Sequence, residues 1–213
     1  MCYQVDIQKA MEDKEAGIAN EKTVFGSLIE SNLPPEEKSV QRLGDEAIAL
    51  FVAATETISW ALSVITYHVL ANPEILEKLT AEVSQVVNDN GELPSWAGLE
   101  KLPYLSGVIY EGLRLSYGVA SRTSRVPTGE DLVYRGEWTP KGSKTSSGVE
   151  YVIPRGYAIG MSSAITHHDE RIFPDSHSFL PERWFDENKQ HRKELDRSLL
   201  SFSKGSRTCI GVQ

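Results

Sequence analysis

The 213-residue chain carries 22 Lys and Arg against 30 Asp and Glu, a net charge of -8, with 40% hydrophobic and 24% charged residues. That balance excludes a disordered chain and fits one large domain or two small ones. The acidic total excludes nucleic acid as the main partner, because phosphate binding needs a basic face, and two distant cysteines, Cys2 and Cys209, make no disulfide framework.

In chain order, Met1 to Ala10 is mixed polar and lacks the apolar segment of a signal peptide, and the stretch to Ser31 reads as weakly amphipathic helix. "SNLPPEEKS" (31–39) breaks it, with Ser39 placed to cap the next helix. From Val40 to Leu70 the pattern is helical without proline, far longer than an ordinary helix, so it should cross a whole domain. Thr57 to Pro73 has no formal charge but falls short of the roughly 20 apolar residues of a span. It reads as a buried core helix, and no membrane anchor is expected.

Asn72-Pro73 ends that helix and starts another, Asn as cap and Pro at the first helical position, which closes at "NDNG" (88–91). A third helix is expected over about 102–117, "LPYLSGVIYEGLRLSY". Then "SRTSRVP", "DLVYRGEW" and "VEYVIPRGYAIGMSS" read as short strands, with 139–148 as a mobile polar hairpin loop. From His167 onward, Pro, Asp and aromatics alternate without a period, the mark of an irregular meander packed by its side chains.

Three places carry chemistry. Ala53, Ala54 and Thr57 share one face of the long helix, where small residues admit something bulky and a Thr hydroxyl can bond the carbonyl four residues back. Glu56 beside them is either a solvated carboxylate on the far face or an acid needing a partner. Glu111 and Arg114 stand at i, i+3 among Val108, Ile109, Leu113 and Leu115, so the pair should be partly buried and need further partners, which "PERW" (181–184) can supply. In "FSKGSRTCIG" (202–211), Lys204, Arg207 and the loop amides offer a donor-rich setting for a Cys209 thiolate. Gly205 and Gly211 allow a flat ligand to approach, and Phe202 can pack beside the sulfur. This suits a cysteine that ligates a metal from one side. Zinc is excluded, since no second Cys or His pairs with it at short spacing, and a turn role is expected for His167-His168. The pattern F-x-x-G-x-R-x-C-x-G arises by chance in such a chain with probability on the order of 10⁻⁴.

The ordered set "AATET", "EGLR", "PERW" and "FSKGSRTCIG" resembles the cytochrome P-450 superfamily of haem-thiolate monooxygenases, most similarly its fungal members, including those of secondary metabolism. The resemblance implies a mainly α fold with a small β portion, the C-terminal part of the cytochrome P-450 fold. Residues 1–213 would form a partial domain, starting shortly before the family's long central helix and stopping just after its cysteine. It implies haem (iron protoporphyrin IX) with Cys209 as axial thiolate on the metal, Arg207 on a propionate, Phe202 shielding the sulfur, and Arg125, with Arg122 as rival, on another propionate. Thr57 and Glu56 match the alcohol–acid pair that delivers protons during oxygen activation. Glu111, Arg114 and Arg183 match a buried triad bracing the cysteine loop, and Val119 and Ala120 a substrate-facing loop. Ala54 and Ile58 depart from the usual Gly and Thr or Ser without removing a catalytic atom.

The implied partners are O₂, a small apolar organic substrate and an NADPH-dependent flavoprotein reductase, at the cytosolic side of the endoplasmic reticulum for full-length relatives. Residues 188–207 hold a local net charge of +4, either a solvated loop or a docking face for that acidic donor. The alternative reading is a catalytically inactive fragment without stable haem binding.

Overall fold

The computed structural model describes residues 2–16, 23–88, 90–140 and 142–212. Its elements are mainly helical: α1 (Cys2–Glu15), α2 (Val24–Glu30), α3 (Val40–Ala71), α4 (Pro73–Ser84), α5 (Trp96–Leu99), α6 (Pro103–Ser116) and α7 (Ser163–His167). Four short strands, β1 (Thr123–Arg125), β2 (Leu132–Trp138), β3 (Ser147–Ile153) and β4 (Ile159–Met161), pair as two antiparallel ribbons, β1 with β4 and β2 with β3. The chain divides into two compact units, Met1–Leu62 and Ser63–Gln213.

Within the first unit, Ile7 and Ala10 of α1, Ile29 of α2, and Leu43 and Ala47 of α3 bury one another. The expected N-terminal helix is thus α1 and α2, and the part of that expectation over 17–22 lies outside the described residues. Thr23 caps α2 by accepting from the Gly26 amide at 3.0 Å. Ser39 caps α3 as expected, its hydroxyl accepting from the Arg42 amide at 3.3 Å.

The expectation of a buried core helix over 57–73 is corrected. Of those residues only Val69 is buried, and Ile58, Trp60, Leu62 and Tyr67 are exposed. None of the most apolar 18-residue window of α3 is buried, and the helix is long and apolar enough, by length and composition, to cross a membrane. Hydropathy records what a helix would bury, whereas burial needs partner side chains. Among the described residues those are packed only toward the two ends of α3.

In the second unit, Val69, Tyr104, Val108, Leu115, Phe179 and Phe185 form one core cluster and Phe173, Trp184, Leu195 and Leu199 another. Both lie against α6, which is therefore the hub of this unit. Its start is fixed by Glu82 of α4, whose two carboxylate oxygens accept from the amides of Tyr104 at 2.9 Å and Leu105 at 2.8 Å. These are orphan donors of a helix N-terminus, where a negative charge is favoured. Asn72 starts α4, but its side chain does not cap it. The amide donates backward to the His68 carbonyl at 2.6 Å and closes the end of α3.

The β2–β3 hairpin pairs Leu132 with Ile153 through Trp138 with Ser147, and Arg135 faces Glu150 across it at 2.6 Å. Asp89 of the "NDNG" turn and Lys141 of the 139–148 loop lie outside the described residues. From His168 to Val212 three short 3₁₀ turns and an isolated Phe185–His191 bridge interrupt an irregular path, as the missing period predicts.

Candidate functional site

Glu111 and Arg114 lie one turn apart on the inner face of α6 and are both fully buried. Each oxygen of the Glu111 carboxylate is surrounded by donors. Oε1 accepts from Arg114 Nη2 at 2.7 Å, Arg183 Nε at 2.9 Å and the Leu180 amide at 3.0 Å. Oε2 accepts from Arg114 Nε and from the Trp184 indole, each at 2.9 Å. Burial alone would raise the Glu111 carboxyl. The hydrogen bonds and charge of Arg114, then the charge of Arg183, outweigh it and hold the group below the usual carboxylate range.

The remaining guanidinium hydrogens of Arg114 are satisfied by carbonyls: Nη1 by His167 at 2.8 Å and Ser176 at 2.7 Å, and Nη2 also by Ser178 at 3.1 Å. Arg183 completes the set through the Pro174 and Asp175 carbonyls. A buried pair survives only when such partners are present. The expected triad is thus brought together, with Trp184 as a fourth member. That role was readable in principle, since a buried indole N–H seeks an acceptor.

The cysteine loop hangs from the same hub. The Cys209 amide donates to the Phe202 carbonyl at 2.8 Å, and the Thr208 hydroxyl bonds the same carbonyl at 3.2 Å. Gly205, at φ +78°, opens a 3₁₀ turn ending at Arg207. The backbone therefore brings Phe202 and Cys209 together. Cys209 is a free, exposed thiol, and a Cβ on Gly211 would sit 3.6 Å from its sulfur. Lys204 is turned away to the Asp196 carbonyl at 2.9 Å. In the basic segment Arg192 is paired with Glu194, whereas Lys193 and Arg197 have no carboxylate partner among the described residues.

Gly118 makes the root of the loop possible. It sits at φ +64°, just after the left-handed Tyr117 that ends α6, and a Cβ there would lie 2.1 Å from the Ser201 carbonyl oxygen. No side chain fits that approach. Val119 beside it is exposed, and the Ala120 carbonyl accepts from Ser162 at 2.8 Å. Arg125 ends β1 opposite Ile159 and donates to the Ser124 carbonyl at 3.0 Å, while the Arg122 side chain lies over Gly160.

The turn role expected for His167-His168 holds for His168, in the turn that follows α7, and is corrected for His167. The two rings do diverge, but His167 is the last residue of α7 and is fully buried. Its Nδ1 meets the Arg114 carbonyl at 2.7 Å, and its Nε2 accepts from the Leu200 amide at 2.8 Å. His168 bonds the Tyr117 hydroxyl at 2.6 Å instead. Burial, together with the charges of Arg114 and His168, pushes the His167 pKa down to about 4.

Thr57 and Glu56 belong to the first unit. The Thr57 hydroxyl donates to the Ala53 carbonyl at 2.7 Å, the back-bond anticipated from the spacing, and both side chains are exposed.

With this geometry in place, comparison with known proteins identifies the class. The cytochrome P450 family profile matches residues 8–213, and the chain belongs to that family. The cytochrome P450 monooxygenase ppzE of Metarhizium majus is 44% identical over 97% of this chain and 44% of its own length. The ppzE protein of Metarhizium rileyi is 46% identical over 91% of this chain and 50% of its own. Cytochrome P450 monooxygenase MO6277 of Ascocoryne sarcoides is 44% identical over 90% of this chain and 34% of its own. The chain thus spans half or less of the length of these curated fungal relatives.

The family implies haem, and the donor set fits that group. No three His, Cys, Asp or Glu side chains gather to hold a bare metal ion among the described residues. One exposed thiol and the exposed guanidiniums of Arg122, Arg125 and Arg207, unpaired with any carboxylate among the described residues, suit a single axial ligand and propionate partners.

Proposed function

We propose that the chain is the haem-ligating part of a monooxygenase that inserts one oxygen atom from O₂ into a small apolar organic substrate: RH + O₂ + two electrons + two protons give ROH + H₂O. Within it, Cys209 is the axial thiolate and Arg207 and Arg125 bind propionates, with Gly205 and Gly211 leaving room for the flat ring and Phe202 beside the sulfur. The observation that supports this reading most is the closed Glu111–Arg114–Arg183–Trp184 cluster, a buried charge network that ties α6 to the meander, while Leu113 of the same helix holds Ser201 at the root of the Cys209 loop. A bound haem with thiolate ligation supplies the electron-rich iron that favours O–O cleavage.

The chain's own residues do the rest. The Thr57 hydroxyl, with its hydrogen given to Ala53, keeps an oxygen lone pair free to accept a hydrogen bond and so to orient a proton-bearing partner, and Glu56 is the carboxyl that passes protons in from solvent. Val119 and Ala120 offer surface to the substrate, and Lys193 and Arg197 attract an acidic NADPH-dependent flavoprotein reductase. The same reading extends to a role in fungal secondary metabolism and, for full-length relatives, to the cytosolic side of the endoplasmic reticulum, with α3 serving as the central helix of the fold rather than a membrane span.

A second reading is favoured by the bare middle of α3, where Phe51 is 71% and Trp60 56% exposed. So large an apolar surface would leave the 213-residue chain by itself a catalytically inactive fragment. The reduced, CO-bound absorption spectrum of the purified chain with added haem decides between them. A thiolate-type Soret band that is lost in Cys209→Ala supports the first reading, and failure to retain haem supports the second.

A further inference from the structure

The last turn of a helix leaves four carbonyls without helical partners. In α6 two of these, Leu113 and Arg114, are satisfied from far along the chain. Leu113 O accepts from the Ser201 hydroxyl at 2.6 Å, and Arg114 O meets His167 Nδ1 at 2.7 Å. The other ring nitrogen, His167 Nε2, receives the Leu200 amide at 2.8 Å. Residues 200 and 201 immediately precede Phe202, whose carbonyl holds the Cys209 amide.

The chemistry of the partners fixes the tautomer. A backbone amide can only donate, so Nε2 must be unprotonated. A carbonyl can only accept, so Nδ1 must carry the hydrogen. Only the neutral Nδ1–H form satisfies both, and no other position in the ring can do either job. The contact is also reciprocal: the Arg114 guanidinium donates to the His167 carbonyl while the His167 ring donates to the Arg114 carbonyl.

We propose that His167 is a positioning residue for the Cys209 loop, transmitting the place of the α6 terminus to the Leu200 amide, with Ser201 as the second anchor. This rests on Cys209 being the thiolate ligand, because the loop so positioned is the one that would present it. His167 touches neither substrate nor haem in this role. It acts through two residues of backbone that end on the carbonyl bonded to Cys209.

The test uses two conservative variants of the full chain with peptide-resolved hydrogen exchange. Glutamine reaches as far as Nε2 and can accept from Leu200, whereas asparagine reaches only as far as Nδ1 and can donate to Arg114 alone. Exchange across residues 199–210 is expected to rise on the order of tenfold in His167→Asn, with residues 103–112 unchanged, because one buried acceptor is removed. In His167→Gln it is expected to stay within about twofold of the parent. Equal acceleration in both variants, or a rise spread over the whole unit, would mean that the ring only fills space and overturns the proposal, as would no rise in either. Haem titration of the same variants is read separately. A parent chain that takes up no haem defeats the haem-ligand reading while leaving the exchange comparison to judge the anchoring.

Discussion

Replacing Glu111 by glutamine exchanges one carboxylate oxygen for an amide nitrogen and leaves the volume of the site almost unchanged. Both oxygens of Glu111 act only as acceptors, Oε1 for three donors and Oε2 for two. Whichever way the glutamine amide turns, its hydrogens must face donors. In the less costly orientation the NH₂ replaces Oε2 and confronts Arg114 Nε and the Trp184 indole. The buried Arg114 guanidinium also loses its counter-charge. Breaking a buried pair from one side costs about 3–5 kcal/mol, against a total stability of about 5–15 kcal/mol for a domain. With a urea dependence near 2 kcal/mol per molar, the midpoint should fall by about 2 M.

The readout is built in, because Trp184 is 1% exposed while Trp60, Trp96 and Trp138 are each more than half exposed. The shift of the emission maximum to longer wavelength on urea titration therefore reports chiefly the unfolding of the unit around Trp184. The acid limb gives an independent sign. Glu111 is held below its ordinary value, so its contribution is fully present above the unfolded carboxylate pKa and is lost as the pH falls through the lower folded one. Glu111→Gln should flatten that loss. A midpoint shift below about 0.5 M with an unchanged slope would refute the reasoning, since it would mean that the cluster is as stable without a charge at its centre.

The His167 ring gives the second prediction. Its pKa falls to about 4 from 6.5, so the folded form binds fewer protons than the unfolded chain between those values. Stability should be full above pH 6.5 and decline toward pH 4 by roughly 3 kcal/mol from this group, a decline absent from His167→Gln in parallel denaturant titrations. Gly118→Ala should cost about 2 kcal/mol or more, from the left-handed backbone together with the contact on the Ser201 carbonyl, and limited proteolysis should then cut near residue 201 faster. Reversing Lys193 and Arg197 to Glu should slow reduction by a flavoprotein donor at low ionic strength, with the difference shrinking as salt is added. An equal rate at low salt would remove this face from the docking surface. Arg183→Lys should weaken the cluster by about 1–2 kcal/mol, because a lysine replaces three directed planar contacts with a single point charge.

The features legible in the sequence are those that neighbours along the chain decide. The 32-residue α3 and the 14-residue α6 follow from unbroken periodicity bounded by Ser39, by Pro73 and by Pro103. The Glu111–Arg114 pair follows from a one-turn spacing, the Thr57 back-bond from a four-residue one, and the family from four short motifs in order. The tertiary structure decided the long-range partners. His167 finds Arg114 across 53 residues and Leu200 across 33, and Ser201 finds Leu113 across 88. No periodicity encodes such pairings, because they depend on where the meander returns to an orphaned helix end. The same distinction separates the apolar character of α3 from its exposure. Composition states how much surface a helix would gain by burying, and only the packed neighbours determine whether it is buried.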